Sequence, residues 1–204
     1  MIRKRLDVDG PVRGFLEKFG QLIVLSVLWL LGCIPVLTLC TSCAALYHAV
    51  TQSVRGGRGS PVKEFWESFR ANLINGVILS VILIGALAGL EAVSVYLMHS
   101  LIPTGVICVL MILDIFLLIY VGPIMARFHL GLLETLKLSF VLSLQYAHYS
   151  FVFLIGTLAL IALQVLVLPA VTALFIPGVW CLVISFLMEK ALNHYTPVDD
   201  DLAE

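Results

Sequence analysis

The chain has 204 residues, of which 61% are hydrophobic and 12% are charged, and its mean hydropathy is +1.08. A soluble domain is about half apolar and a quarter charged, so this composition excludes a water-soluble globular protein. A net charge of −1 and the lack of a basic patch with interleaved aromatic residues argue against nucleic acid as a partner. The composition predicts an all-α, polytopic membrane helical bundle that forms a single domain in the lipid bilayer.

The first apolar run determines how the chain enters the membrane. Residues 1–14 form a charged N-terminal segment whose basic residues precede the apolar run, as in a signal anchor that is retained. The run itself, residues 20–53, carries no formal charge and contains Pro35 near its middle. One crossing needs about 20 residues, so the run is too long for one helix and marginal for two. Because proline disrupts helical geometry, we expect a hairpin over residues 15–54 that breaks at Pro35.

The rest of the chain alternates polar connections with pairs of apolar helices. The expected segments are a connection at 55–72, a helix pair at 73–126, a connection at 127–147, a helix pair at 148–192 and an acidic tail at 193–204. Pro61 is expected to start a helix in the first connection, where apolar residues recur at a spacing typical of a helix lying in the membrane surface. Pro123 is expected to end its helix in a bend, and Pro177 to kink the last one.

The distribution of basic residues predicts which side each connection faces. With a hairpin at residues 15–54 there are about six crossings, and all 12 Lys and Arg residues fall on the same side as both termini. The positive-inside rule makes that side cytoplasmic. With one crossing instead, the basic residues of 1–14 and those of 55–72 would lie on opposite faces, which the rule disfavours.

A faint internal repeat agrees with this topology. Ser68-Phe69 and Ile84-Gly-Ala-Leu87 recur 71 positions later as Ser139-Phe140 and Ile155-Gly-Thr-Leu158. Each copy would comprise an inward helix, a surface-lying segment and an outward helix, which is a parallel repeat. A chance match among so many apolar residues is the alternative.

Two acidic residues fall inside predicted membrane helices. Asp114 is expected about 16 Å into its helix, near the midplane, and Glu91 about 10 Å from the outer end of the neighbouring helix. Carboxyl groups at such depth are costly to ionise and are functional-site candidates by default. The alternative is a protonated acid that hydrogen-bonds a hydroxyl or one of three polar side chains, those of Tyr96, Tyr120 and Gln164. Since no basic partner is expected at that depth, a protonated or proton-exchanging Asp114 is favoured over an ion pair.

Other reactive residue types favour packing over chemistry. Cys40 and Cys43 have the spacing of a redox or metal pair, but they lack a second pair and open an apolar helix where small residues pack. His48 is interpreted as a packing residue in the same way. The glycines and arginines around Arg55 form no phosphate-binding motif, and no catalytic signature is present. We therefore expect no enzyme activity, no metal and no cofactor.

Several segments between Trp29 and Phe128 resemble the YesL-like family of bacterial membrane proteins. They are Trp29-Leu-Leu-Gly-Cys-Ile-Pro35-Val-Leu-Thr38, Ala44-Ala-Leu-Tyr47, Arg55-Gly-Gly-Arg-Gly, Phe65-Trp-Glu-Ser-Phe69-Arg-Ala-Asn72 and Pro123-Ile-Met-Ala-Arg127-Phe128. The family has no established biochemical activity. The resemblance implies a bacterial inner-membrane protein that is often encoded beside genes for carbohydrate uptake and glycan degradation.

Two functional hypotheses follow. In the first, the protein is an accessory to carbohydrate uptake or utilisation that binds a sugar ABC-type transporter or another membrane complex through a cytoplasmic surface. The residues of that surface would be Phe65, Trp66, Phe69, Arg70 and Arg127. In the second, the protein is a small secondary transporter, a homo-oligomer in which Asp114 exchanges a proton or cation.

Overall fold

A computed structural model of the protein describes residues 9–57, 59–97, 101–128, 130–166 and 169–192. Within these ranges the fold is all-α, as the composition predicts. Its eight α-helices are α1 (Asp9–Cys33), α2 (Leu39–Ala49), α3 (Pro61–Ala71), α4 (Leu73–Leu97), α5 (Leu101–Arg127), α6 (Leu132–Gln145), α7 (Ala147–Leu166) and α8 (Pro169–Leu192). The acidic tail lies outside the described residues.

The chain doubles back at Pro35, as the sequence predicts. Helix α1 ends at Cys33, a short 3₁₀ turn covers Val36–Thr38, and α2 returns against α1. The Thr38 hydroxyl lies 2.5 Å from the carbonyl oxygen of Gly32 and 2.7 Å from that of Pro35. The Thr38 hydroxyl therefore helps to close the turn, since its proton can satisfy the Gly32 carbonyl that the end of α1 leaves without a helical donor, while the Pro35 carbonyl also accepts the Thr38 backbone N–H at 2.9 Å.

Helix α2 is the centre of the bundle, since it packs against α1, α3, α4, α5 and α8. Most of its residues are buried, and several are small, including Ala44, Ala45 and Ala49. Small side chains allow neighbouring helices to approach closely. Helix α4 comes close at Gly76, where an added Cβ would lie 3.0 Å from the Cα of Thr41, and α5 comes close at Gly122, where it would lie 3.2 Å from the Cβ of Cys43. The helix continues as π-helical turns over Val50–Arg55.

A side chain from α4 caps the start of α2. The backbone N–H of Cys40 donates to the Ser80 hydroxyl at 2.9 Å, which satisfies one of the donors that a helix N-terminus leaves open. This bond also fixes the depth of the Pro35 turn, because Ser80 lies in the first third of α4. Residues 81–97 of α4 extend roughly 25 Å further along the helix axis. The turn between α1 and α2 therefore lies beside the body of α4 and is not level with its far end.

Among the described residues, two helices are long and apolar enough to cross a membrane, Leu73–Tyr96 and Thr104–Arg127. A third span results if α6 and the start of α7, which meet at 93°, are counted as one. This number is consistent with a membrane protein, but it does not confirm the expected six crossings. The apolar part of α8 that the structure describes, Ile176–Phe186, is shorter than a span.

The expectation that Pro123 ends its helix is wrong. Helix α5 continues through Pro123 to Arg127, and α8 likewise contains Pro177 in its interior. Proline cannot donate to the carbonyl oxygen four residues earlier, which for Pro123 is that of Ile119. Such a defect is tolerated inside membrane helices where neighbouring helices pack around it.

The helix order of the two halves matches the internal repeat. An apolar helix, a short helix and a second apolar helix follow one another as α2, α3 and α4 and again as α5, α6 and α7. The 71-residue offset carries the first residue of α3, Pro61, onto the first residue of α6, Leu132. In both copies the short helix packs on the apolar helix that precedes it, and Ser68 and Ser139 are buried at equivalent positions.

Candidate functional site

A cavity of about 340 Å³, the central cavity, lies among α1, α2, α5, α7 and α8. It brings together Trp29, Tyr47 and Pro123, three of the residues that carry the family resemblance. They come from three helices and are separated by up to 94 positions in the chain, counted as 123 minus 29. Two more, Pro35 and Thr38, form the hairpin turn. These five residues therefore serve two places, the turn and the cavity wall.

The cavity wall is mostly apolar and aromatic. Trp180 closes one side, and its ring lies directly over Gly156, where any added Cβ would overlap the ring. The Trp180 indole N–H donates to the Thr157 hydroxyl at 3.2 Å, and that hydroxyl donates to the carbonyl oxygen of Phe153 at 2.7 Å. These bonds fix the indole against α7. The cavity is suited to an apolar molecule or the apolar part of an amphipathic one.

Sequence reasoning did not identify Trp180 and Thr157 as members of this site. The position of Trp180 was an available signal. Tryptophan in membrane helices is enriched at the membrane interfaces, whereas Trp180 lies in the apolar interior of α8, which is unusual. Pro177, which also lines the cavity, was interpreted as a kink alone. The pairing of Trp180 with Thr157 depends on how α7 and α8 pack, which hydropathy does not encode.

Asp114 is buried, with 7% of its surface exposed. Its Oδ2 atom accepts no hydrogen bond from any residue that the structure describes. Of the polar groups considered as partners, Tyr96 is 86% exposed and the Tyr120 hydroxyl instead accepts a bond from Ser150 at 3.0 Å. The side chain of Gln164 lies outside the described residues. Asp114 lines neither the central cavity nor the second cavity that is described below.

Glu91 does not share a buried site with Asp114. Its side chain is exposed on α4, close to the end of that helix, and its backbone carbonyl accepts a bond from the Ser94 hydroxyl at 2.7 Å. An acid near a membrane interface remains hydrated at small cost. The structure thus separates the two carboxyl groups that the sequence singles out.

The proposed cytoplasmic surface divides into a buried part and an exposed part. Phe65 is 1% exposed and Phe69 reaches Gly32 of α1, so both anchor α3 to the hairpin. Trp66 is 46% exposed; its ring stacks on Phe69 with centroids 5.5 Å apart, and the Arg70 guanidinium lies 5.2 Å from its centroid. We call Trp66 and Arg70 the α3 surface pair.

Arg127 is remote in sequence from the α3 surface pair and ends α5. Its guanidinium lies 5.9 Å from the ring centroid of its neighbour Phe128. Arg127 is half-buried, whereas Arg70 is exposed. Arg127 therefore differs from the α3 surface pair in both helix and exposure.

The remaining reactive residues occupy packing positions. Cys40 is buried among α2, α4 and α5, and Cys43 lies against Gly122 and lines the central cavity. His48 Nε2 lies 3.5 Å from Glu64 Oε2, which joins α2 to α3. In the part of the chain that the structure describes, no three His, Cys, Asp or Glu residues cluster closely enough to hold a metal ion.

The apolar helices of this bundle are consistent with a membrane protein. Residues 22–91 match the model of a family described as a protein of unknown function, DUF624. The matched segment covers the second half of α1, the Pro35 turn, α2, α3 and most of α4, and so includes Trp29, Tyr47 and the α3 surface pair. Asp114 and Pro123 fall outside it. No curated protein and no solved structure matches the chain.

Proposed function

We propose that the protein is a YesL-like protein of the bacterial inner membrane that acts as a non-enzymatic accessory to carbohydrate uptake or utilisation. It has both termini in the cytoplasm and about six crossings. It binds a membrane component of the uptake system, such as a sugar ABC-type transporter, through the α3 surface pair. The observation that carries this proposal is the exposed Trp66, held on a helix whose other aromatic residues, Phe65 and Phe69, are buried and half-buried.

The packing of α3 supports a binding role for its outer face. Phe65 and Ser68 are buried against the bundle, and the Asn72 amide N–H donates to the Ser68 carbonyl at 3.1 Å, so the helix is fixed at its end. Trp66 then stands on a rigid base with Arg70 beside it. Tryptophan and arginine are the residue types most enriched at the energetic centres of protein interfaces. Little ordering is needed before a partner binds, which favours affinity.

The class of partner comes from the family resemblance. The resemblance to the YesL-like family implies a genetic association with carbohydrate uptake and glycan degradation, and the DUF624 match carries no activity of its own. A partner in the same membrane is consistent with a surface helix that leads directly into a predicted span at Leu73.

Site-specific photocrosslinking tests this proposal. A photoreactive amino acid at Trp66 is expected to capture a transport component in cells grown on the relevant glycan. The matched control is Lys137, an exposed residue on α6 and the counterpart of Trp66 in the repeat, since 66 plus 71 is 137. Capture at both positions, or at neither, would contradict a binding role specific to α3.

A secondary transporter is the second candidate, favoured by the buried Asp114 carboxyl whose Oδ2 has no described partner. In this role Asp114 exchanges a proton or cation. Neither described cavity reaches Asp114, so the pathway for the transported solute would form between the subunits of a homo-oligomer. Asp114→Asn should then abolish coupled uptake in reconstituted vesicles. Unchanged uptake in Asp114→Asn would eliminate this candidate and leave the accessory role intact.

A further inference from the structure

A second cavity, the interface cleft, lies where the end of α2 meets α1 and α8. It has a volume of about 570 Å³ and is open to the outside of the bundle. Its lining residues are Lys18, Phe19, Leu22, Thr51, Val54, Arg55, Gly56, Leu182 and Phe186. Among the residues that the structure describes, the lining combines two cations with a largely apolar wall and no acidic residue.

The two cations come from different helices and are held differently. Arg55 is fixed, since its Nη1 donates to the Ser185 carbonyl at 3.2 Å and lies 3.4 Å from the Ser185 hydroxyl, while the guanidinium packs 4.3 Å from the Phe186 ring centroid. Lys18 is exposed at the start of the apolar part of α1. The fixed charge of Arg55 and the exposed charge of Lys18 therefore border the same opening.

The lining of the cleft changes from charged to apolar. Along α1 it runs from the charged Lys18 to the buried Leu22, and in the π-helical turns that continue α2 Arg55 stands next to the buried Val54. A site with cations at one end and apolar side chains at the other complements a phosphate group joined to an acyl chain. Basic pockets between membrane helices on the cytoplasmic side bind anionic headgroups in this way.

We propose that the interface cleft binds one anionic phospholipid of the inner leaflet. Its phosphate lies between Lys18 and Arg55, and the first part of one acyl chain lies along Leu22 and Leu182. The volume falls within the usual range for a small-molecule site, about 300–1,000 Å³, and is large enough for a headgroup and a chain segment but not for a whole lipid. The rest of the lipid remains in the bilayer.

Native mass spectrometry of the full-length protein in detergent tests this site. Phosphatidylglycerol is expected to remain bound at a stoichiometry of one, and phosphatidylcholine to bind more weakly. A cation near a membrane surface contributes about fivefold to binding, so Lys18→Gln should weaken phosphatidylglycerol about fivefold and Lys18→Gln with Arg55→Gln roughly 25-fold. Lys63→Gln removes an exposed cation of α3 that does not line the cleft, so this variant should bind phosphatidylglycerol as the unmodified protein does.

Three results would overturn the proposal: equal retention of the two lipids, loss of phosphatidylglycerol in Lys63→Gln but not in Lys18→Gln, or binding of inorganic phosphate as tight as that of phosphatidylglycerol. The last result would indicate a free anion rather than a lipid. Because Arg55 also holds α8, the double variant is checked for helicity. If the double variant does not fold, Lys18→Gln alone tests the lipid site, because replacing an exposed residue should leave the fold intact.

Discussion

The contact between α1 and α8 at Gly178 yields the sharpest stability prediction. The Gly178 N–H donates to the Ser26 hydroxyl at 2.9 Å, and that hydroxyl donates to the Leu22 carbonyl at 2.9 Å. A Cβ added at Gly178 would lie 2.7 Å from the Leu22 carbonyl oxygen and 2.7 Å from the Ser26 oxygen. Since the carbonyl belongs to the α1 backbone, Gly178→Ala must push the two helices apart.

The expected change in the free energy of unfolding of Gly178→Ala follows from two opposing effects. Overpacking of a close contact costs about 1–3 kcal/mol, whereas alanine in place of glycine favours a helix by up to about 1 kcal/mol. Gly85→Ala on α4 is the matched control, because no heavy atom lies within 4 Å of its added Cβ. Gly85→Ala therefore shows only the favourable effect of alanine on helix stability. We therefore expect Gly178→Ala to have a free energy of unfolding about 1–3 kcal/mol below that of Gly85→Ala.

Denaturation in mixed micelles with increasing SDS, followed by circular dichroism, measures this difference. If Gly178→Ala is as stable as Gly85→Ala, the close crossing of α1 and α8 is refuted. The interface cleft, which lies along the same pair of helices, would then need revision too. A loss of stability in both variants would instead point to a general intolerance of alanine in these apolar helices.

Three further predictions concern single side chains, each measured by the same denaturation. Phe65→Ala should lower the free energy of unfolding by about 3–5 kcal/mol because it empties a core position, while Trp66→Ala on the exposed face should change it by less than about 1 kcal/mol; equal effects would contradict the orientation of α3. Ser80→Ala should cost about 1–3 kcal/mol because it leaves the Cys40 N–H unpaired, and no change would show that this N–H has another acceptor. Asp114→Leu should raise stability by about 1–3 kcal/mol because it removes a buried carboxyl atom without a partner, and a decrease would show that the carboxyl makes a stabilising contact.

The local features of this fold could be predicted from the sequence because each depends on a short stretch of chain. Pro35 breaks the first apolar run as expected, since proline restricts the residue before it. Pro61 begins α3, and the boundary between α3 and α4 lies at the expected place, one residue before Leu73. The error at Pro123 arose because a rule for isolated helices was applied to a helix supported by neighbours on several sides.

The assembly of the site could not be predicted, because it depends on packing between distant helices. Trp29 and Tyr47 share the central cavity with Trp180, and no local pattern relates the positions of these residues. The periodicity of α3 indicated an apolar stripe but did not distinguish the buried Phe65 from the exposed Trp66, which are adjacent in the chain. Similarly, the sequence placed Asp114 inside a helix but did not indicate which helix faces it.

The proposed binding surface and the lipid site both require that the chain turns back at Pro35 and presents α3 to the cytoplasm. Labelling with a membrane-impermeant thiol reagent tests this most directly, using Lys63→Cys on α3 and Tyr96→Cys near the end of α4 in a version of the protein without its five cysteines. Both positions are exposed on the bundle surface. In intact cells we expect labelling of Tyr96→Cys, and labelling of Lys63→Cys only after permeabilisation. Strong labelling of Lys63→Cys in intact cells would contradict the topology.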